Sequence, residues 1–70
     1  MIKAKCREMG LDAIREFPDG HEVWFFYKNY YEFCNWNPWS ANFFIGEKQA
    51  HVHDVESCLE QIRLCLALEP

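Results

Sequence analysis

The sequence predicts an α+β domain in which a small antiparallel sheet of four to five strands, a meander of hairpins, packs against one C-terminal α-helix. Three observations support this prediction. All aromatic residues except Phe17 fall within residues 23–45, where they suit a pleated sheet because aromatic side chains pack across neighbouring strands. Turn signals divide this region into short strands. An amphipathic stripe after Asp54 indicates one terminal helix.

The N-terminal segment allows two interpretations. Residues 2–8 alternate between apolar and basic side chains, and the basic ones are Lys3, Lys5 and Arg7. A period of two favours an edge strand with one basic face, which would protect the edge from aggregation. The alternative is a helix, which Gly10 weakens.

Two turns follow in the first half of the chain. Residues 17–21 read Phe-Pro-Asp-Gly-His, and this turn should join a short strand at 13–17 to a longer one at 21–27. Residues 28–29 should form a second turn, because asparagine tolerates positive φ, and lead into a strand at 30–34. The resulting register pairs Phe26 with Tyr31 and Trp24 with Phe33. The opposite face would carry Val23, Phe25, Tyr27, Tyr30, Glu32 and Cys34, so that both faces are rich in aromatic residues.

Residues 35–40 have no hydrophobic period and predict a loop that carries Trp36 and Trp39. A second hairpin follows, with strands at 41–45 and 48–53 around Gly46-Glu47, and glycine in the first position favours a type II′ turn. One face of this hairpin is predicted to lie in the core: Ala41, Phe43, Ile45, Ala50 and Val52. The other face carries Phe44, His51 and His53.

The C-terminal helix should begin after Asp54, which is a favourable N-cap residue, with Glu56 in the first turn. At 100° per residue its apolar residues form one stripe that should pack on the sheet: Val55, Cys58, Leu59, Ile62, Cys65 and Leu66. Leu64 and Leu68 lie on the back of this helix. They indicate either a frayed helix end or a contact between two copies in a homodimer.

Composition limits the classes of function. The chain of 70 residues, one predicted domain, has a formal net charge of −4 and a pI near 5.2, which argues against direct binding of nucleic acid or an anionic membrane. We expect a cytoplasmic protein, because no signal-peptide segment opens the chain and no apolar run approaches the length of a membrane span. The four cysteines are then predicted to be free thiols.

Catalysis and cofactor binding receive little support from the sequence. No nucleophile elbow, phosphate-binding loop or paired-carboxylate motif is present, so we predict no enzymatic activity and no cofactor. His51 and His53 have the i, i+2 spacing that places two imidazoles on one side of a strand, which makes them weak candidates for a metal site. No CxxC or HExxH pattern accompanies the pair.

Protein recognition is the predicted function. Tyrosine and tryptophan are enriched at interface hot spots, and acidic residues around them favour a partner with a basic surface. The predicted contact residues are Trp24, Phe26, Tyr30, Tyr31, Glu32, Trp36, Trp39, Asp19, Glu22 and Glu47. By size and charge, the chain is similar to phage and mobile-element proteins that inhibit host proteins or nucleic-acid-handling complexes, including anti-CRISPR proteins. The alternatives are a homodimeric structural domain and a protein that binds a metal or small ligand through His51 and His53.

Overall fold

The predicted α+β class is confirmed by a computed structural model, which describes residues 1–68. Five antiparallel strands form one sheet in sequence order, so every strand pairs with its neighbour in the chain. The elements are α1 (Ile2–Glu8), β1 (Asp12–Glu16), a 3-10 turn (Pro18–Gly20), β2 (Val23–Lys28), β3 (Tyr31–Asn37), β4 (Asn42–Ile45), β5 (Lys48–His51) and α2 (Val55–Leu68).

The N-terminal segment is a helix, so the predicted edge strand at residues 2–8 is wrong. The buried residues Ile2 and Cys6 are one helical turn apart, while the basic side chains are exposed. Gly10 ends this helix rather than weakening it. At φ +82° it donates its N–H to the Arg7 carbonyl at 3.0 Å, and Leu11 donates to the Cys6 carbonyl at 2.8 Å. These two bonds form a Schellman motif, which explains why the helix stops and β1 begins.

The β2–β3 hairpin turns one residue later than predicted. Asn29 and Tyr30 both have positive φ, at 50° and 73°, which is the type I′ conformation that matches strand twist. Lys28 therefore pairs with Tyr31.

A β-bulge then shifts the register of this hairpin a second time. Tyr27 pairs with Glu32 but Phe26 pairs with Cys34, so Phe33 has no partner of its own on β2. Both Phe33 and Cys34 are buried, at 9% and 2% exposure. The predicted pairs of Phe26 with Tyr31 and Trp24 with Phe33 are therefore wrong.

Strand β3 continues through residues that were predicted as a loop. Trp36 pairs with Trp24 on one side and with Phe43 on the other. Trp36 is only 2% exposed, and its indole Nε1 donates to the carbonyl of Val52 at 2.9 Å. This bond ties the central strand to the segment that leads into α2.

The second hairpin has the predicted turn and pairing, but β4 begins at Asn42, and Ala41, predicted to lie in the core, is a half-buried turn residue outside the core cluster. Ile45 pairs with Lys48 around Gly46 and Glu47, and φ is positive at Gly46 (58°) but not at Glu47, as in a type II′ turn. Strand β5 ends at His51, two residues earlier than predicted.

Both helices contribute to one core on one side of the sheet. Apolar residues of α1 and α2 join the aromatic side chains of β2, β3 and β4 in a single buried cluster, whose members are Ile2, Cys6, Leu11, Trp24, Phe26, Phe33, Cys34, Trp36, Phe43, Val52, Cys58, Leu59 and Ile62. The stripe predicted for α2 is confirmed: Cys58, Leu59 and Ile62 are buried in it, and Val55, Cys65 and Leu66 pack against it.

The N-cap of α2 is also confirmed. The backbone N–H of Ser57 donates to Oδ1 of Asp54 at 2.7 Å, and this hydrogen bond lowers the pKa of the Asp54 carboxyl. A lowered pKa in the folded state means that the cap stabilises the fold above the ordinary carboxyl pKa and loses this contribution as the pH falls.

The indole hydrogen bond of Trp36 gives a first prediction. Trp36→Phe should lower the free energy of unfolding by about 1–3 kcal/mol, because the Val52 carbonyl loses its buried donor. Urea denaturation followed by circular dichroism measures this change. Trp39→Phe, at an exposed position, is the matched control and should change stability by less than about 0.5 kcal/mol. Equal effects of the two substitutions would contradict the burial of Trp36.

The cap of α2 gives a second prediction. Asp54→Ala should lower the melting temperature by roughly 5 °C at pH 7, and the difference from the wild-type protein should disappear as the pH falls below the lowered pKa of the carboxyl and the carboxyl becomes protonated. Asp54→Asn should retain most of the stability without this pH dependence, because the amide oxygen still accepts the bond. Thermal scans between pH 2 and 7 test both statements, and a pH-independent effect of the alanine would rule out the cap.

Candidate protein-binding surface

The strand side chains that point away from both helices form the open face of the sheet. The pairing register places one row of them across all five strands: Ile14, Phe25, Asn35, Phe44 and Gln49. Ile14 is 44% exposed, and Phe25 and Phe44 are half-buried. Its three apolar members, Ile14, Phe25 and Phe44, form the apolar row on the side that neither helix covers, and the polar Asn35 separates Phe25 from Phe44.

A stacked aromatic pair extends the open face at one end of the sheet. Continuing the β2–β3 register beyond Trp24 and Trp36 brings His21 opposite Trp39, and their rings stack with centroids 4.3 Å apart. Trp39 is 60% exposed. Val23, two residues after His21 on the same side, is only 6% exposed, so neighbouring side chains on this face exclude water from it. Tyr27, which is half-buried, continues the face toward its other end.

Charges on the open face have one sign. Asp12, Glu16 and Glu32 lie on it and are exposed, whereas none of the described strand residues on this face is lysine or arginine. The amide Nδ2 of Asn35 donates to Oε2 of Glu32 at 3.0 Å, which holds that carboxylate beside the apolar row. The basic residues Lys3 and Arg7 of α1 lie beside Asp12 only at the β1 edge of this face. The open face is therefore an apolar surface with an acidic rim.

Three of the predicted contact residues lie in the core instead of on a surface. Trp24, Phe26 and Trp36 are 8%, 0% and 2% exposed. Trp24 and Phe26 lie on the face of β2 that packs against the helices, and the bulge in β3 turns Trp36 toward the same side. They have almost no surface to offer to another molecule. Their role in the structure is packing.

The other predicted contact residues lie at both ends of the sheet. Tyr30, Tyr31 and Glu47 are at or beside the β2–β3 and β4–β5 turns, with Tyr30 fully exposed and Tyr31 48% exposed. Glu32 lies on the open face, and Asp19 and Trp39 are at the opposite end of the sheet. Glu22 is engaged within the chain: its Oε2 accepts from Trp24 Nε1 at 3.0 Å and pairs with Arg15 Nε at 2.7 Å.

The residues that sequence reasoning missed are Ile14, Phe25 and Phe44 as members of one row across the sheet, in which Asn35 separates Phe25 from Phe44. Phe25 and Phe44 each stand beside residues that the fold buries, and strict alternation places them on the far side of the sheet. The alternation within each strand therefore indicates which face each residue lies on. Placing the three residues in one row also requires the pairing register from β1 to β4.

The cysteines are free, as predicted: Cys6, Cys34 and Cys58 are buried, and Cys65 is half-buried. Burial raises the pKa of the Cys6 thiol to about 11 and the pKa of the Cys58 thiol to about 12. Burial likewise raises the pKa of the Cys34 thiol. Because the thiolate is the nucleophile, these three cysteines are unreactive at neutral pH.

This difference in burial gives a third prediction. Iodoacetamide at pH 8 should alkylate native protein mainly at Cys65, and all four cysteines after denaturation, because only the half-buried thiol is accessible in the fold. Peptide mass spectrometry measures the modified sites. Alkylation of Cys34 or Cys58 in folded protein at the rate of Cys65 would contradict the arrangement of the core.

The two candidate metal ligands do meet on the surface. The rings of His51 and His53 are in edge-to-face contact with centroids 4.4 Å apart, and both residues are exposed. Among residues 1–68, however, no group of three or more His, Cys, Asp or Glu side chains is placed to hold a metal ion. The pair offers two ligands, whereas zinc sites use three or four protein ligands.

The back of α2 carries the two leucines predicted to be at a frayed end or in a dimer contact. Leu64 is 51% exposed and Leu68 is 83% exposed. Both lie within the bounds of the helix.

Comparison of the chain with protein-family models, with curated proteins and with solved structures found no match. In the described part of the chain, neither helix has the length and apolar character needed to cross a membrane.

Proposed function

We propose that this chain is a small non-enzymatic protein-binding module that docks another protein on the open face of its sheet. The observation that carries this proposal is the combination of an exposed apolar row with a rim of one charge sign. Burying Ile14, Trp39 and the exposed parts of Phe25 and Phe44 supplies the hydrophobic contribution to affinity, at about 25 cal/mol per Å² of apolar surface. Tryptophan is among the residue types most enriched at interface hot spots.

The acidic rim defines the chemistry of the partner. Asp12, Glu16 and Glu32 favour a surface with an apolar centre and lysine or arginine around it, because opposite charges steer association and like charges exclude wrong partners. The same rim disfavours the alternative of a homodimer formed face to face. Two copies would bring acidic residues toward each other, and the described strand residues of the open face include no basic side chain to compensate them.

Surfaces rich in lysine and arginine are typical of proteins that hold nucleic acid. The proposal therefore extends to inhibition: an acidic module on such a surface would cover the nucleic-acid site, as inhibitors from phage and mobile elements do. The small size, the net charge of −4 and the acidic rim support this extension. Free thiols are typical of proteins in a reducing compartment, and we propose that this chain acts in the cytoplasm.

A paired-variant capture experiment tests the proposal and is the fourth prediction. Tagged wild-type protein, an apolar variant (Ile14→Ala with Trp39→Ala) and a charge variant (Glu16→Lys with Glu32→Lys) are used to capture partners from a source-cell lysate. All substituted positions are exposed, so stability should change little. Both variants should weaken capture of the wild-type partner by about tenfold or more, and capture by the wild-type protein should fall with added salt.

The matched control carries Lys5→Glu and Leu64→Ala, which lie on the helices, away from the open face, and are also exposed. It should capture the same partner as the wild-type protein. Cross-links to the partner should map to strands β1 to β4 on the open face. A partner retained by both open-face variants, or lost only by the control, would refute the proposed surface. A homodimer that the open-face variants dissociate in native mass spectrometry would show that the face is self-directed.

A further inference from the structure

A second feature lies beside strand β1, where the edge of the sheet meets α1 and the β2–β3 turn. A shallow cavity of about 760 Å³ is lined there by two cations, two tyrosines and one carboxylate, which belong to Lys3, Arg7, Tyr27, Tyr30 and Asp12. These residues come from four separate parts of the chain. The fold therefore brings together three kinds of group that differ in chemistry.

The two cations lie on one side of α1. Lys3 and Arg7 are four residues apart, so their side chains are neighbours on the helix surface, and both are exposed. Neither makes an ion pair with any residue in the described range. They are free to bind an anion together, and the guanidinium of arginine matches the geometry of a phosphate group.

Tyr30 is held in an unfavourable conformation and contributes nothing to packing. It occupies the second central position of a type I′ turn at φ 73°, where glycine is strongly preferred because a Cβ is strained in the left-handed region. Its side chain is fully exposed. A tyrosine that strains the backbone without burying its ring has no structural reason to be there, and such outliers concentrate at functional sites.

We propose that this cavity binds a nucleoside phosphate. The phosphate lies against Lys3 and Arg7, the planar base stacks on Tyr30 or Tyr27, and the Asp12 carboxylate accepts a hydrogen bond from a ribose hydroxyl or an exocyclic amine. Base stacking on aromatic side chains and phosphate binding by cations are the two interactions by which proteins hold nucleotides without reading sequence. The ligand is a free nucleotide or the end of a single strand. The cavity shares Asp12 and Tyr27 with the β1 edge of the open face, but the inference does not require a protein partner on that face.

Titration with defined ligands tests this inference and is the fifth prediction. Amide resonances of ¹⁵N-labelled protein are followed as AMP, adenosine, inorganic phosphate or a ten-residue deoxythymidine oligonucleotide is added. AMP should shift the resonances of the cavity residues with a dissociation constant below about 1 mM. Adenosine and phosphate should each bind at least tenfold more weakly, because each lacks one half of the recognised chemistry. A comparison of AMP with the oligonucleotide shows which source the site prefers.

Four substitutions separate recognition from folding. Arg7→Glu should weaken AMP binding at least tenfold, whereas Lys5→Glu, the same change of charge on the same helix but outside the cavity, should change it less than twofold. Tyr30→Gly should raise the melting temperature, because it relieves the turn, and should still weaken AMP binding. Tyr30→Phe should retain binding.

Three results would overturn the inference. The first is the absence of cavity shifts at 10 mM AMP, and the second is phosphate binding as tight as AMP binding. The third is equal loss of affinity in the Lys5→Glu and Arg7→Glu variants, which would reduce the interaction to general charge attraction.

Discussion

The β-bulge at Phe33 is the constraint on which the rest of the structure depends. Side chains along a strand alternate between faces, so one inserted residue exchanges the faces of everything beyond it. Without the bulge, the pairing of Tyr27 with Glu32 would continue to place Trp36 opposite Val23, on the open face. With it, Cys34 and Trp36 turn toward the helices, and Trp36 reaches the Val52 carbonyl. The large side chains of β3 are thereby committed to one core.

The same shift decides what remains on the open face. Strand β3 offers that side only Glu32, Asn35 and Asn37, whereas β1, β2 and β4 present Ile14, Phe25 and Phe44. A chain of this size cannot build two cores, because small domains bury only about 60% of their unfolded surface. Both helices therefore pack against one face of the sheet. The partly exposed apolar row on the other face is a direct consequence of this topology.

The sequence predicted most strongly the features that depend on local chemistry. Asp54 as N-cap, Gly46 in a type II′ turn and the apolar stripe of α2 each follow from a few neighbouring residues.

Features that depend on pairing between strands were not predictable in this way. The bulge at Phe33 has no glycine or proline to mark it, and the Asn29-Tyr30 turn lacks its usual glycine. The helix at Ile2–Glu8 was obscured because its basic residues also fit a period of two. A strand would bury Ala4 together with Ile2 and Cys6, whereas Ala4 is exposed, as a helix requires. The cavity at Lys3 and Arg7 depended on that helix and was missed with it.

Hydroxyl-radical footprinting of the three tryptophans tests the role of the bulge most directly. In a pulse short enough to label only folded protein, peptide mass spectrometry compares the oxidation rate of each indole with its rate in denatured protein. Trp39 should be oxidised readily, whereas Trp24 and Trp36 should be strongly protected, in line with exposures of 60%, 8% and 2%. Oxidation of Trp36 at a rate close to that of Trp39 would place Trp36 on the open face and would contradict the role of the bulge in directing the large side chains of β3 into the core.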